Sequence, residues 1–301
     1  MKTLAIFSLM LLLACGSQKK KPEQDEQDVV STTPTEVDLE KPQKPSGWQN
    51  PDVKRLEVEG YYPFFGPGGA SVLYSTSTYK GVWSYDLATN ETKQLTDQEG
   101  AGFQPKIDGD RLVYQVRGRA KYLEAVSLTT GEVLDLGKPK GLSPEDYLKN
   151  SMKQTSSVRL SKDLTGIEVS MDGASEVISP KGEKNYISAS LSPDNKRLLY
   201  KAAGVGAFVS DLEGKTIKEL GDVDQPSWVN DDLILYSISK DDGMQTLSSS
   251  IHVLDLTTDK IFELKGGEQS LENPKADKSG SKIVANSSEG QVFLFTQNKE
   301  I

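Results

Sequence analysis

The sequence predicts an all-β protein, a six-bladed β-propeller of four-stranded antiparallel blades closed by an amino-terminal strand. Three observations predict it. A turn-plus-strand unit occurs six times, a strand-turn-strand unit follows most copies, and the two ends of the repeating stretch complement each other.

The clearest copy of the first unit is SPDNKRLLY, residues 192 to 200. Pro193 fixes φ, Asp194 and Asn195 tolerate tight backbone geometry and bond their own main chain, and Leu198 to Tyr200 suit a strand. LSKDLTGIEV (160 to 169) aligns with it, pairing Asp163 with Asp194 and Val169 with Tyr200, and DKSGSKIVA (277 to 285) keeps the turn-plus-strand pattern. Three further copies end at Tyr74, Tyr114 and Tyr236. Pro63, Pro105, Pro226 and Pro274 stand nine to eleven residues before their strand ends, so the copies share a beginning as well as an end.

The second unit reads VWSYDLATNETKQLT (82 to 96), LEAVSLTTGEVLDL (123 to 136), AFVSDLEGKTIKEL (207 to 220) and IHVLDLTTDKIFEL (251 to 264). Each is an apolar strand ending in Asp-Leu or Ser-Leu, a polar turn, and a short strand ending in Leu. First and second units together make four antiparallel strands, one propeller blade. The sixth copy supplies a third strand, QVFLF, and then the chain runs out. At the other end VKRLEVEGYYP (53 to 63) resembles TKQLTDQEGAGFQP (92 to 105), a fourth strand leading into the next blade. Residues 53 to 58 are therefore expected to complete blade six, which removes an open sheet edge. Leu56 corresponds to Leu95, Leu136, Leu220 and Leu264 at the ends of the other fourth strands.

One interval is long: Tyr114 and Val169 are 55 positions apart, against 36 between Tyr200 and Tyr236. Within it LSPEDYLKNSMK predicts a short rim helix, with Ser143 as N-cap, Pro144 at the first helical position, and Glu145 and Asp146 in the first turn. Blade three, residues 157 to 187, is the shortest and matches the repeat least.

Ahead of the repeats, residues 1–14 are expected to be a lipoprotein signal peptide, since an apolar stretch too short to span a bilayer ends in Leu12-Leu13-Ala14-Cys15. That ending resembles the bacterial lipobox, which implies that Cys15, the single cysteine, is lipidated. Buried acyl chains contribute about 0.8 kcal/mol per CH₂, enough for two or three of them to hold the chain on a membrane. Gly16, where inner-membrane retention usually has Asp, implies delivery to the outer membrane. Residues 15–50, polar and charged with Pro22, Pro34, Pro42 and Pro45, read as a disordered tether, and 51–301 as the propeller.

With a formal net charge of −9 the chain is not expected to bind nucleic acid, because phosphate contacts need concentrated Lys and Arg. No catalytic constellation, cofactor motif or metal set is expected. His252, the one histidine, takes the strand position held by Trp83 and Phe208 in their blades and reads as a packing residue. Asp231-Asp232 and Asp241-Asp242 fall at turns, where solvated carboxylates are ordinary.

The repeats resemble those of TolB and of the dipeptidyl-peptidase type, whose blades carry a Ser-Pro-Asp-Gly turn before an apolar strand. Here Ser192-Pro193-Asp194-Asn195 is the best match, and the resemblance covers roughly residues 53 to 295. It implies fold rather than function. The loops joining second to third strands emerge on one face around the channel and carry Tyr79, Arg117, Arg119 and Asp241, the residue types that anchor protein interfaces. The expectation is a monomeric, non-enzymatic, lipid-anchored module that binds an envelope protein. A glycan- or peptidoglycan-binding protein, or a degenerate propeller enzyme, is the alternative. Aromatics with convergent carboxylates at the channel mouth would favour the glycan reading.

Overall fold

The computed structural model describes residues 47–137, 143–151, 156–244 and 246–298, with backbone alone for 149–151. The signal peptide, Cys15 and the tether as far as residue 46 lie outside the described residues.

The strands form six antiparallel sheets in ring order. Blade one is β2 (Tyr61–Phe65), β3 (Ser71–Ser75), β4 (Val82–Asp86) and β5 (Thr92–Thr96). Blade two is β6 (Lys106–Asp108), β7 (Arg111–Val116), β8 (Tyr122–Ser127) and β9 (Val133–Gly137). Blade three has three strands, β10 (Ser156–Leu160), β11 (Ile167–Met171) and β12 (Ala174–Ile178). Blade four is β13 (Tyr186–Leu191), β14 (Leu198–Ala202), β15 (Gly206–Ser210) and β16 (Thr216–Gly221). Blade five is β17 (Asp224–Trp228), β18 (Leu233–Asp241), β19 (Thr246–Asp255) and β20 (Lys260–Leu264). Blade six is β21 (Leu271–Ala276), β22 (Lys282–Ser287) and β23 (Gln291–Thr296), completed by β1 (Asp52–Glu59).

The expected propeller and its closure are both present. β1 pairs with β23 from Asp52 opposite Thr296 to Arg55 opposite Phe293. Leu56 is 2% exposed and packs with Val72, Tyr74, Tyr85, Val284 and Val292, joining blade six to blade one. Two details differ from the sequence reading. Blade three lacks a fourth strand, because the segment after Ile178 turns through Pro180 and Gly182 straight into β13. The folded region also begins before residue 51: Trp48 is fully buried among Leu271, Phe293 and Phe295, and the carbonyl of Gly47 accepts the Asn298 N–H at 3.1 Å.

Apolar residues alternate toward neighbouring blades, and buried clusters fill five of the six joints. Between blades two and three the described residues hold none. The helix α1 (Pro144–Ser151) is inserted there, as expected. Ser143 caps it, its Oγ accepting the Asp146 N–H at 3.1 Å while Asp146 Oδ2 accepts the Ser143 N–H at 3.1 Å. Glu145 reaches Lys106 of β6 at 3.4 Å.

The repeat motif also has a structural reason. Ser192 Oγ donates to Asp194 Oδ1 at 2.6 Å and accepts the N–H groups of Lys196 and Arg197, so one serine satisfies the turn. In blades one, two, four and five the tyrosine near the end of the second strand lies beside its partner on the third. Tyr74 stacks on Trp83, Tyr200 on Phe208 and Tyr236 on His252, while the Tyr114 hydroxyl donates to Glu124 at 2.9 Å.

Candidate functional site

The first strand of each blade lines the channel, and in four blades the chain is kinked within or just before that strand. Tyr62, Gln104, Gln225 and Asn273, each immediately before the repeat proline, have φ between 48° and 56°. Such a conformation is uncommon for residues with side chains and costs on the order of 1–3 kcal/mol when strained, so the surrounding structure must hold it. In blades one, five and six the pairing register also shifts there. A bulge of this kind re-aims side chains, here toward the channel mouth.

Hydrogen bonds hold the kinks of neighbouring blades together. The fully buried Asn286 presents Oδ1 to the Tyr62 N–H at 3.1 Å and to Asn273 Nδ2 at 3.1 Å, and Gln225 Nε2 donates to Asn273 Oδ1 at 3.3 Å.

On this mouth lies a continuous strip of rings. Tyr61 is tilted against Tyr62 at 6.3 Å between centroids, Tyr62 stacks on Tyr79 at 4.3 Å, and Tyr79 meets Phe103 edge-on at 5.2 Å. The Arg117 guanidinium sits 4.2 Å above the Phe103 ring, a cation–π contact. Two glycines permit this approach. A Cβ on Gly100, whose φ is 81°, would lie 2.4 Å from the Arg117 side chain, and one on Gly102 would lie 2.0 Å from Ser75 Oγ. The segment 97–105 is thereby pressed between the loops of blades one and two, with the Gly102 N–H bonded to the Tyr79 carbonyl and the Arg117 N–H to that of Glu99.

Electrostatics follow from this packing. Burial, with Tyr79 adding to it, pushes the Tyr62 phenol up to about 12, so it stays a neutral donor. Glu272, on β21 beside Tyr62, is half-buried, and desolvation raises its carboxyl above the ordinary range. Burial likewise holds His252 below the ordinary imidazole value, with Glu263 opposing, while Ser250 Oγ lies 2.9 Å from its Nε2. The stack on Tyr236 makes His252 a packing group.

Of the four residues that the sequence singled out, the structure brings Tyr79 and Arg117 together through Phe103. Arg119 is exposed and makes no hydrogen bond or ion pair with the described residues. Asp241 lies apart, on the tip of the β18–β19 hairpin, and its Oδ1 accepts the Gly243 N–H at 2.9 Å. That hairpin extends beyond its neighbours and exposes Met244 (95%) and Leu247 (60%). Sequence reasoning missed Tyr62 and Phe103; the positions of Tyr62 before Pro63 and of Phe103 two residues before Pro105 were the available signals.

The opposite face is built from self-satisfied turns. A recess of about 450 Å³ there is lined by Asn230, Asp231, Asp232, Leu233, Asp255, Thr257 and Gln297, and its carboxylates are engaged. Asp231 accepts the Asp194 N–H at 2.8 Å, Asp232 accepts Arg197 at 3.0 Å, and Asp255 accepts the Thr257 N–H at 2.9 Å. Among the described residues no group of three or more His, Cys, Asp or Glu is placed to hold a metal.

No protein-family model and no curated protein matches the chain. Among solved structures it is similar to one described as the WD40 beta propeller domain of Doa1, at a TM-score of 0.42 and 14% identity, over 85% of this chain and 98% of that one. At that level the likeness adds nothing to the fold, which rests on the six sheets described above.

Proposed function

We propose that this propeller is a non-catalytic recognition module that binds a protein of the cell envelope on the channel-mouth face. The chain is held by lipidated Cys15 at the outer membrane. The observation that carries the reading is the Tyr62–Tyr79–Phe103–Arg117 strip, built from strand β2 and three loops. Tyr and Arg in such settings dominate protein interfaces, with several neighbouring contacts contributing little. A photo-cross-linking residue at exposed position 78, beside Tyr79, should capture the partner in cells, and one at Lys93 on β5 should not. Tyr79→Ala, Arg117→Ala and Arg119→Ala should each weaken capture by about 1 kcal/mol or more without lowering the melting temperature much. Equal capture from both positions would remove the interface from this face. Cys15→Ser should abolish labelling by an alkyne fatty acid, and unchanged labelling would end the anchor assignment.

A second reading has its own observation. Glu272 stands beside the stacked Tyr62 and Tyr79, an aromatic-plus-carboxyl combination suited to a sugar. Saturable binding of peptidoglycan fragments, lost in Glu272→Gln, would favour it.

A further inference from the structure

Among the described residues three cations sit over aromatic rings, and one differs from the other two. Arg197 lies 5.7 Å from the centre of the Trp228 ring and donates to the Asp231 carbonyl and to Asp232 Oδ1. Lys181 lies 3.9 Å from that of Phe208 and donates to Thr216 Oγ1 and Glu219 Oε1. Arg117 lies 4.2 Å from that of Phe103, and its guanidinium makes no hydrogen bond or ion pair with the described residues. The carboxylates of the Phe103 segment do not neutralise it. Glu99 is paired with Lys80 at 3.1 Å, and Asp97 makes no ion pair with the described residues.

The Arg117 side chain is nonetheless held in place. Its backbone N–H donates to the Glu99 carbonyl at 2.7 Å, and its stem passes so close to Gly100 that a Cβ there would lie 2.4 Å from Cγ. Phe103 seats the guanidinium without accepting its N–H groups, so a planar set of donors is positioned and unused. Part of the ordering entropy is lost before any ligand arrives, which favours binding. The loop around it adds charge of the same sign. RGRAK, residues 117 to 121, carries Arg117, Arg119 and Lys121, all exposed, and neither Arg119 nor Lys121 has an ion-pair partner among the described residues. From Phe103 the strip continues through Tyr79 and Tyr62 to Glu272, each of them partly accessible. The strip is one ring wide, basic at blade two and acidic at blade six.

A guanidinium with free N–H groups matches a carboxylate, which can accept two parallel bonds from it. A narrow strip suits an extended chain better than a broad surface. An anionic membrane is the poorer match, because such surfaces are read by about 4–8 clustered cations and this loop offers Arg117, Arg119 and Lys121 on a chain of net charge −9. We propose that the blade-two end of the strip recognises an extended partner segment rich in Asp and Glu, with Arg117 taking a carboxylate and Arg119 and Lys121 its acidic neighbours. The proposal rests on the protein-recognition reading of this face and adds the chemistry of the partner. Glu272 repels acids at the other end, so the charge gradient also sets the direction in which the segment lies.

The test titrates the full chain with a capped, fluorescent peptide of alternating Glu and Tyr and with its Gln-for-Glu counterpart, read by anisotropy. The Glu peptide should bind saturably and about tenfold or more tighter than the Gln peptide, and added salt should erase the difference. Arg117→Gln should remove most of that preference with the melting temperature unchanged. Arg117→Lys, which keeps the charge but lacks the planar donor set, should restore it only in part. Glu272→Gln should weaken neither peptide. Equal binding of the two peptides, or an unchanged preference in Arg117→Gln, overturns the proposal; so does retention on phosphatidylglycerol vesicles, lost in Arg117→Gln, by a chain that ignores the Glu peptide. A partner cross-linked at position 78 through a segment without Asp or Glu overturns the acidic assignment and leaves the protein interface standing. Preference for the Glu peptide with no capture at position 78 supports the acidic assignment and overturns the envelope-protein reading.

Discussion

Blade six and blade three solve the same problem in opposite ways. Each has an inner hairpin whose outermost strand must be covered or left open. Blade six borrows β1 from the far end of the chain, and with it the buried Leu56 and, a few residues earlier, Trp48. Blade three stops at β12, whose residues Ala174 to Val177 are exposed, Val177 by 58%. The long-range strand costs more loop closure but seals a joint, whereas the short blade leaves an edge beside the joint that carries no buried cluster among the described residues. Stability should therefore be concentrated at the blade six closure and weakest around blade three.

The comparison breaks most severely if the borrowed segment is removed. A chain starting at residue 60 loses β1 and Trp48 together and should aggregate or melt far below one starting at residue 47. Similar melting of the two would show that closure contributes nothing. Single substitutions resolve the same point. Trp48→Ala should cost about 3–5 kcal/mol and Leu56→Ala about 2–5 kcal/mol in denaturant unfolding, because both leave cavities in packed joints. Val177→Ala on the open edge should stay within about 0.5 kcal/mol. A large loss at Val177 would mean that the edge is covered.

These differences were unevenly legible in the sequence. The closure could be read because residues 53 to 58 resemble the fourth strand at 92 to 96 and likewise lead to a repeat proline, and Leu56 matched Leu264, which is equally buried. Trp48 could not be read. It lies in KPSGWQNP, a stretch whose composition signals a tether, and burial of one aromatic by contacts with Phe293 and Phe295 leaves no local periodicity. The missing strand of blade three was half visible, since Val169 and Tyr200 are only 31 positions apart, too few for four strands. At the candidate site, Tyr79 and Arg117 were found from loop position, but the ring that connects them, Phe103, belongs to a different loop.

A smaller effect separates the turns of blades three and four. Ser192 and Ser161 make similar bonds: each donates to its Asp at 2.6 Å, Ser192 Oγ accepts the N–H groups of Lys196 and Arg197, and Ser161 Oγ accepts the Gly166 N–H at 2.9 Å. Ser192 is nearly fully buried, whereas Ser161 is half-buried. Ser192→Ala leaves the part-buried Arg197 N–H without its acceptor and should cost about 1–3 kcal/mol; Ser161→Ala, where water can substitute, should cost about 0.5–1.5 kcal/mol. Equal losses would mean that the blade three turn is as dry as its counterpart.

The smallest effect is in the acid limb of stability. The carboxyls of Asp163 and Asp194 are both held below the ordinary range, chiefly by the hydroxyls of Ser161 and Ser192. A carboxyl lowered in the folded state binds protons more readily when unfolded. Its contribution is complete above the unfolded value near 4 and is lost as pH falls through the folded one. Asp163→Asn and Asp194→Asn should each flatten the fall of stability below about pH 4 and leave the slope at neutral pH unchanged. They should differ in one respect. The Asp194 N–H donates to Asp231 across the joint between blades four and five, whereas the bonds of the Asp163 carboxyl stay within its own turn; that turn meets blade four through the Leu164 carbonyl, which accepts the Tyr186 N–H at 2.8 Å, and its Ser161 is less buried than Ser192. In amide exchange at pH 4, the N–H of Gly166 should therefore open before those of Lys196 and Arg197. Simultaneous opening would show that blade three unfolds only with the whole ring, and that its open edge costs the protein nothing.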